Sequence, residues 1–180
     1  MKKLNFIIKC GLALLLLSFY SCESWLNVTP SDRLSEEMLF NDREGFVKAL
    51  NGVYIELNTN ELYGRNLTAG ALDVMGQYYS VASSSHAFYN YGGLVYTGND
   101  EKALFDNMWQ KCYAVIACCN TIIEKCDENK AGLSPVWRGS IKGEALALRA
   151  MLHFDMLRLF GPLTSELDKE SIPYQTNSDQ

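Results

Sequence analysis

The run Asp100-Glu101-Lys102-Ala103-Leu104-Phe105-Asp106-Asn107-Met108-Trp109-Gln110-Lys111-Cys112-Tyr113-Ala114-Val115-Ile116-Ala117-Cys118-Cys119-Asn120-Thr121-Ile122-Ile123-Glu124-Lys125-Cys126-Asp127 decides the fold class. Its apolar residues, from Leu104 and Met108 through Cys112, Val115 and Cys119 to Ile122 and Cys126, recur in steps of three, four and seven. That spacing lays one stripe down a long helix. Gly132 falls in the connection that follows. Ser134 and Pro135 then supply a cap and a first-turn proline for a second helix, which runs to Phe160 and is stopped by Gly161-Pro162. Two long helices joined by a short link pack as an antiparallel hairpin.

Gly139, Gly143 and Ala147 lie four apart on the second helix. Lys142, Glu144 and Arg149 beside them exclude a membrane-spanning reading, so this ridge is expected to let two helices approach closely. Hairpins of this kind point to an all-α fold of tetratricopeptide-like units, which bury a core only by stacking on one another.

Upstream, Asn41-Asp42-Arg43-Glu44 has the form of a capping box, with Asn41 as the cap. Phe46, Leu50, Val53, Tyr54 and Leu57 follow at helical spacing, and the helix should stop near Asn58. From Asn58 to Gly98 the periodicity weakens. Glycines at 64, 70, 76, 92, 93 and 98 punctuate a long irregular insertion rich in aromatics, with a short helix expected around Ala69 to Tyr79 and a small strand at Gly93 to Thr97.

The N-terminus carries a different signal. Lys2, Lys3 and Lys9 supply a positive start, Ile7 to Phe19 an apolar stretch, and Ser21 stands before Cys22. This reads as a lipoprotein signal peptide over 1–21, cleaved after Ser21, with Cys22 diacylated or triacylated as the membrane anchor. The stretch is shorter than the roughly 20 apolar residues that a transmembrane helix needs. Residues 22–40 then read as a tether and first turn, with Glu36-Glu37 placed to open a helix, and 41–180 as the helical domain.

Loss of 1–21 removes three of sixteen basic residues and none of twenty-one acidic ones, taking the net charge from −5 to −8. So acidic a chain excludes nucleic acid as a partner, because that affinity comes mainly from Lys and Arg neutralising phosphates. Of the six cysteines, Cys10 leaves with the signal and Cys22 takes the lipid. Cys112, Cys118, Cys119 and Cys126 fall on one helix, where the geometry opposes disulfides, and no His lies at metal-ligand spacing. They read as small buried apolar residues, and no metal or cofactor is expected.

Several segments in order resemble the SusD/RagB family of nutrient-uptake lipoproteins of Gram-negative bacteria. They are the stretch from Ser21-Cys22 to Thr29-Pro30, Ala49-Leu50-Asn51-Gly52-Val53-Tyr54, Trp109-Gln110-Lys111-Cys112-Tyr113, and Cys119-Asn120-Thr121-Ile122-Ile123-Glu124. The last are Gly143-Glu144-Ala145-Leu146-Ala147-Leu148-Arg149-Ala150-Met151-Leu152-His153-Phe154, Leu159-Phe160-Gly161-Pro162 and Ile172-Pro173-Tyr174. The resemblance implies a tetratricopeptide-like fold, lipid-anchored at the outer membrane and facing outward. It also implies capture of oligosaccharides or other nutrients for a partner SusC-like TonB-dependent transporter, with no catalysis. Family members are longer, so the chain is expected to be truncated and to lack later helices that complete the binding face.

Aromatic rings suit glycan capture because the apolar faces of sugars lie flat on them while nearby amides bond the hydroxyls. Tyr78, Tyr79, Phe88, Tyr89 and Tyr91, with His86 and Asn90 beside them, are therefore the candidate ligand-binding platform. The alternative is that these rings pack the loop onto the helices. Trp109, Tyr113 and Trp137 read as core, and Arg149 and Glu144, five apart, as residues that each hold a neighbouring segment. No catalytic residues are expected: there is no nucleophile elbow and no His-Glu-x-x-His run, and although Glu61, Asp73 and Asp100 could furnish the paired carboxylates of a glycosidase, pairs of acids are common in so acidic a chain. A lipid-anchored helical scaffold for protein contacts and a non-functional remnant are the alternative functions.

Overall fold

The computed structural model describes residues 36–179, apart from 164, 166 and 167; the signal peptide, Cys22 and most of the tether lie outside the described residues. The order is α1 (Glu36–Leu39), α2 (Arg43–Leu57), α3 (Ala71–Met75), α4 (Tyr89–Gly92), α5 (Asn99–Glu128) and α6 (Pro135–Phe160). No strand occurs among the described residues. The chain is all-α, as the periodicity requires.

The α5–α6 hairpin is the frame of the molecule. α5 ends because Asn129 turns left-handed (φ 49°), and its side-chain oxygen accepts from the Leu133 amide at 2.8 Å, which closes the turn. Ser134 then caps α6 by accepting from the Trp137 amide, with Pro135 at the first helical position. Met108, Cys112, Ile116, Cys119 and Ile122 of α5 meet Ile141, Ala145, Leu148, Leu152 and Met156 of α6 in one buried cluster, which Phe46, Leu50, Val53 and Leu57 of α2 complete.

Five expectations are corrected. The cap of α2 is Asp42 rather than Asn41: its Oδ1 accepts from Gly45 N at 2.8 Å, and Glu44 pairs with Lys48 instead of reaching back. The register is set by Gly45, where an added Cβ would lie 1.5 Å from the Leu39 carbonyl, so the incoming turn can pass only over a glycine. The Gly93–Thr97 strand does not form, because Leu94 is left-handed (φ 55°) and the Val95 amide bonds back to Asn90 O at 2.9 Å in a turn.

The small-residue ridge does not mediate the helix crossing. Gly139 and Gly143 have open space where a side chain would point, and with Ala147 they lie on the outer face of α6 beside exposed Val136, Phe154 and Leu157. Cys112, Cys119 and Cys126 are buried as expected, whereas Cys118 is exposed; all four are free thiols. Burial pushes the Cys112 and Cys119 thiols up to about 12, which makes them inert. Trp109 packs against Phe160 and Tyr113, but Trp137 is half-exposed beneath the Arg43 guanidinium, 4.6 Å from its ring centre.

Candidate ligand groove on the aromatic insertion

Residues 58–98 form a short α3 and a shorter α4 held to the start of α5. Ala71 and Val74 of α3 pack on Tyr91 of α4, which is 2 % exposed. From Tyr91 a chain of ring contacts runs into the frame. Phe88 lies 5.7 Å from it and Phe105 6.0 Å, and Phe105 in turn meets Phe160 at 6.2 Å. Tyr91 is thus a floor residue, not a ligand contact, and burial together with the nearby Glu101 and Asp100 charges pushes its phenol up. Phe88 is half-buried in the same cluster, with Arg65 over its other side at 5.7 Å.

Two side-chain amides fix this insertion. Gln77, itself left-handed (φ 62°), donates through Nε2 to the Gly92 carbonyl at 2.9 Å and to Val74 O at 3.4 Å, tying the end of α3 to the end of α4. Asn90 donates through Nδ2 to Glu101 Oε1 at 2.8 Å, tying α4 to the first turn of α5. Glu101 is only 5 % exposed, and its carboxylate folds over Gly98, where a Cβ would lie 2.0 Å from Oε2. A side chain at position 98 would displace that carboxylate.

Between these pins opens a groove of about 410 Å³. Tyr79 and Tyr89 line it together with Val81 and Val95, and its polar lining comes from Gln77, Ser80 and Asn90, with backbone at Gly92 and Gly93. Tyr79 is 55 % exposed and Tyr89 42 %, so both present ring area to solvent. Of the five expected platform rings, then, two meet in one groove. Tyr78 is 80 % exposed but lies outside the lining, Phe88 and Tyr91 face the floor, and His86 accepts from the Phe88 amide through Nδ1.

The sequence reading noted Asn90 but missed Gln77, Ser80 and the glycine pair. Gln77 was within reach as a polar residue directly before two tyrosines; its partner, Gly92, lies fifteen positions on. Asp73 lies on α3 and Asp100 on α5, while Glu61 falls in the turns between α2 and α3. Glu61 lines a second, shallower groove with Asn107, Gln110 and Lys111. Among the described residues no group of three His, Cys, Asp or Glu side chains is placed to hold a metal, and no helix is long and apolar enough to cross a membrane.

A third feature is a strap. Residues 172–178 run back along the hairpin, with Tyr113 donating to Pro173 O at 2.8 Å and the fully buried Asn120 donating to Asn177 O at 3.0 Å. Arg149 donates to Asn120 Oδ1 at 2.8 Å and to Thr176 O at 3.3 Å, while Glu124 accepts from the Ser178 amide and hydroxyl. Arg149 and Glu144 do each hold a neighbouring segment, Glu144 by accepting from the Tyr54 hydroxyl of α2.

The fold is all-α, and it presents tyrosines and side-chain amides on a loop platform braced against the helical frame. The chain belongs to the SusD-like family: the family described as "Starch-binding associating with outer membrane" matches residues 24–180. It is also 25 % identical over 166 residues to the SusD-like protein P2 of Formosa agariphila, a match covering 89 % of this chain and 30 % of that protein. The chain therefore spans about 30 % of the length of the curated relative it matches. No solved structure matches it.

Proposed function

We propose that this chain belongs to a cell-surface capture lipoprotein that binds glycan without catalysis and hands it to a SusC-like TonB-dependent transporter. The observation that carries this reading is the groove, where the half-exposed Tyr79 and Tyr89 stand beside Gln77 and Asn90 on a floor locked to the helical frame. Exposed rings offer flat apolar faces to sugars, and the adjoining amides and hydroxyls match sugar hydroxyls. Family membership supports the glycan and the association with the outer membrane. Cys22, at the end of the basic and apolar leader, would carry the acyl chains, palmitate among them, that hold the protein at the outer face of that membrane.

Isothermal titration of the full chain against a panel of oligosaccharides tests the reading. Saturable binding is expected, weakened at least tenfold by Tyr79→Ala with Tyr89→Ala; a double variant that binds as well as the parent would refute the site. Cys22→Ser should move the protein out of the membrane fraction, and persistence there would refute the anchor. A second reading, a helical scaffold for protein contacts, draws on the exposed apolar outer face of α6 at Val136, Phe154 and Leu157. It expects no saturable sugar binding.

A further inference from the structure

We infer that the groove is selective for uncharged sugar segments and discriminates against sulfated or carboxylated ones. This rests on the reading of the groove as a glycan site and adds the chemical class of ligand. None of the described residues lining it carries a charged side chain. Recognition therefore falls to two amides, three hydroxyls and the backbone, and the orientation of the amides decides their polarity.

Both amides are oriented by what they touch. A carboxylate and a carbonyl can only accept, so Asn90 must turn its NH₂ to Glu101, and Gln77 its NH₂ to the Gly92 and Val74 carbonyls. Gln77 thereby spends both of its N–H donors within the protein, and Asn90 spends one of two. What these side chains keep is two carbonyl oxygens and a single N–H. Acceptor oxygens suit the hydroxyl hydrogens of a neutral sugar and repel a sulfate or carboxylate, which has oxygens to be bonded and no hydrogen to give.

The electrostatic background has the same sign. Glu101, a residue only 5 % exposed, lies directly behind Asn90, where solvent screens its charge little. The nearby guanidinium of Arg65 is turned over the Phe88 ring and is not part of the lining. An anionic group entering the groove would lose water without gaining a cation, with only the Tyr79, Ser80 and Tyr89 hydroxyls and one Asn90 N–H left to bond it. A neutral ring can stack on Tyr79 or Tyr89 and donate to Gln77 Oε1 and Asn90 Oδ1.

The test uses matched polymers: soluble starch and other neutral polysaccharides, each beside its own carboxymethylated and sulfated derivative, run in affinity gels at 150 mM salt with the full chain. Expected is retention by neutral polymers, at least tenfold weaker retention by their charged forms, and recovery of the charged forms in Ser80→Lys or Val95→Lys, which add a cation to the lining. Charged forms that bind as well as or better than their parents, with binding lost in Tyr79→Ala/Tyr89→Ala, would overturn the selectivity and leave the glycan site standing. Retention by none of the polymers would overturn the glycan site itself and the selectivity with it.

Discussion

His153 holds the strap through a bond whose direction depends on its protonation, and this makes a quantitative experiment possible. The ring is 4 % exposed, packed against Tyr174 at 4.6 Å and Tyr113 at 6.2 Å. Its Nε2 accepts from the Gln175 amide at 3.1 Å, so that nitrogen is bare, and Nδ1 carries the proton and donates to Arg149 O at 3.0 Å. Burial holds the imidazole below its ordinary value; the Arg149 carbonyl opposes this, and the Arg149 charge one turn back adds to it. A protonated ring would aim N–H at N–H across the strap.

Replacing His153 with Phe keeps a ring against Tyr113 and Tyr174 but removes both nitrogens. The Gln175 amide loses its acceptor, and at about 0.5–1.5 kcal/mol net per hydrogen bond the two lost bonds sum to about 2 kcal/mol. For a chain of this size that corresponds to a melting temperature lower by about 4–8 °C near pH 7.5. The sign with pH follows from linkage. A base with a lowered folded-state pKa binds fewer protons folded than unfolded, so its contribution is complete above the ordinary histidine value near 6.5 and is lost as pH falls below it. Urea unfolding of parent and His153→Phe from pH 8 to pH 5 should therefore show a gap that narrows with acid. The other histidine, His86, is present in both proteins and cancels from the difference. A gap that stays constant from pH 8 to pH 5 would refute the assigned tautomer and the latch.

Four further substitutions probe the frame. Asp42→Ala should cost about 1 kcal/mol of stability by removing the acceptor for Gly45 N, whereas Asn41→Ala should stay within about 0.5 kcal/mol; equal losses in urea unfolding would contradict the position of the cap. Leu152→Ala, at a fully buried position between α5 and α6, should cost about 2–5 kcal/mol by thermal or urea unfolding, and a loss below 1 kcal/mol would place Leu152 outside the core. Tyr63→Phe removes the hydroxyl that donates to the 7 %-exposed Asp155, leaving Arg158 as its remaining named partner, and should cost about 1–3 kcal/mol; an unchanged melting temperature would show that this bond does not form in solution.

What could be read from the sequence follows the physical range of each interaction. The α5–α6 hairpin was legible because its determinants are local and repeated over many turns, and its boundaries fall within a residue of those expected. The cap of α2 was misplaced by one residue because Asn41 and Asp42 are both good caps. Only the contact of Gly45 with the Leu39 carbonyl chooses between them, and that contact depends on how the preceding turn comes in. The ridge on α6 misled for a related reason. Val136, Phe154 and Leu157 make the outer face nearly as apolar as the inner one, so periodicity alone could not say which side meets α5.

The groove was half legible, and the division is physical. Composition located an aromatic insertion, but whether a ring is floor or wall depends on contacts between distant positions. Tyr91 is drawn under by Ala71 and Val74, about twenty residues earlier, and by Phe105 of α5, while Tyr89, two residues away, is left in the lining. The strap shows the opposite case. Tyr113, Asn120 and Glu124, Arg149 and His153, and Pro173 sit in four segments that carried the family resemblance; Arg149 bonds Asn120 and Tyr113 bonds Pro173 directly, while His153, Asn120 and Glu124 bond the strap just beyond, at Gln175, Asn177 and Ser178. Resemblance could find those segments without explaining them. The strap presents its carbonyls to the donors of Tyr113, Asn120 and Arg149, which two antiparallel helices hold at fixed separations. The same pattern places no demand on the groove, whose contacts come from a loop that can vary while the frame beneath it is kept.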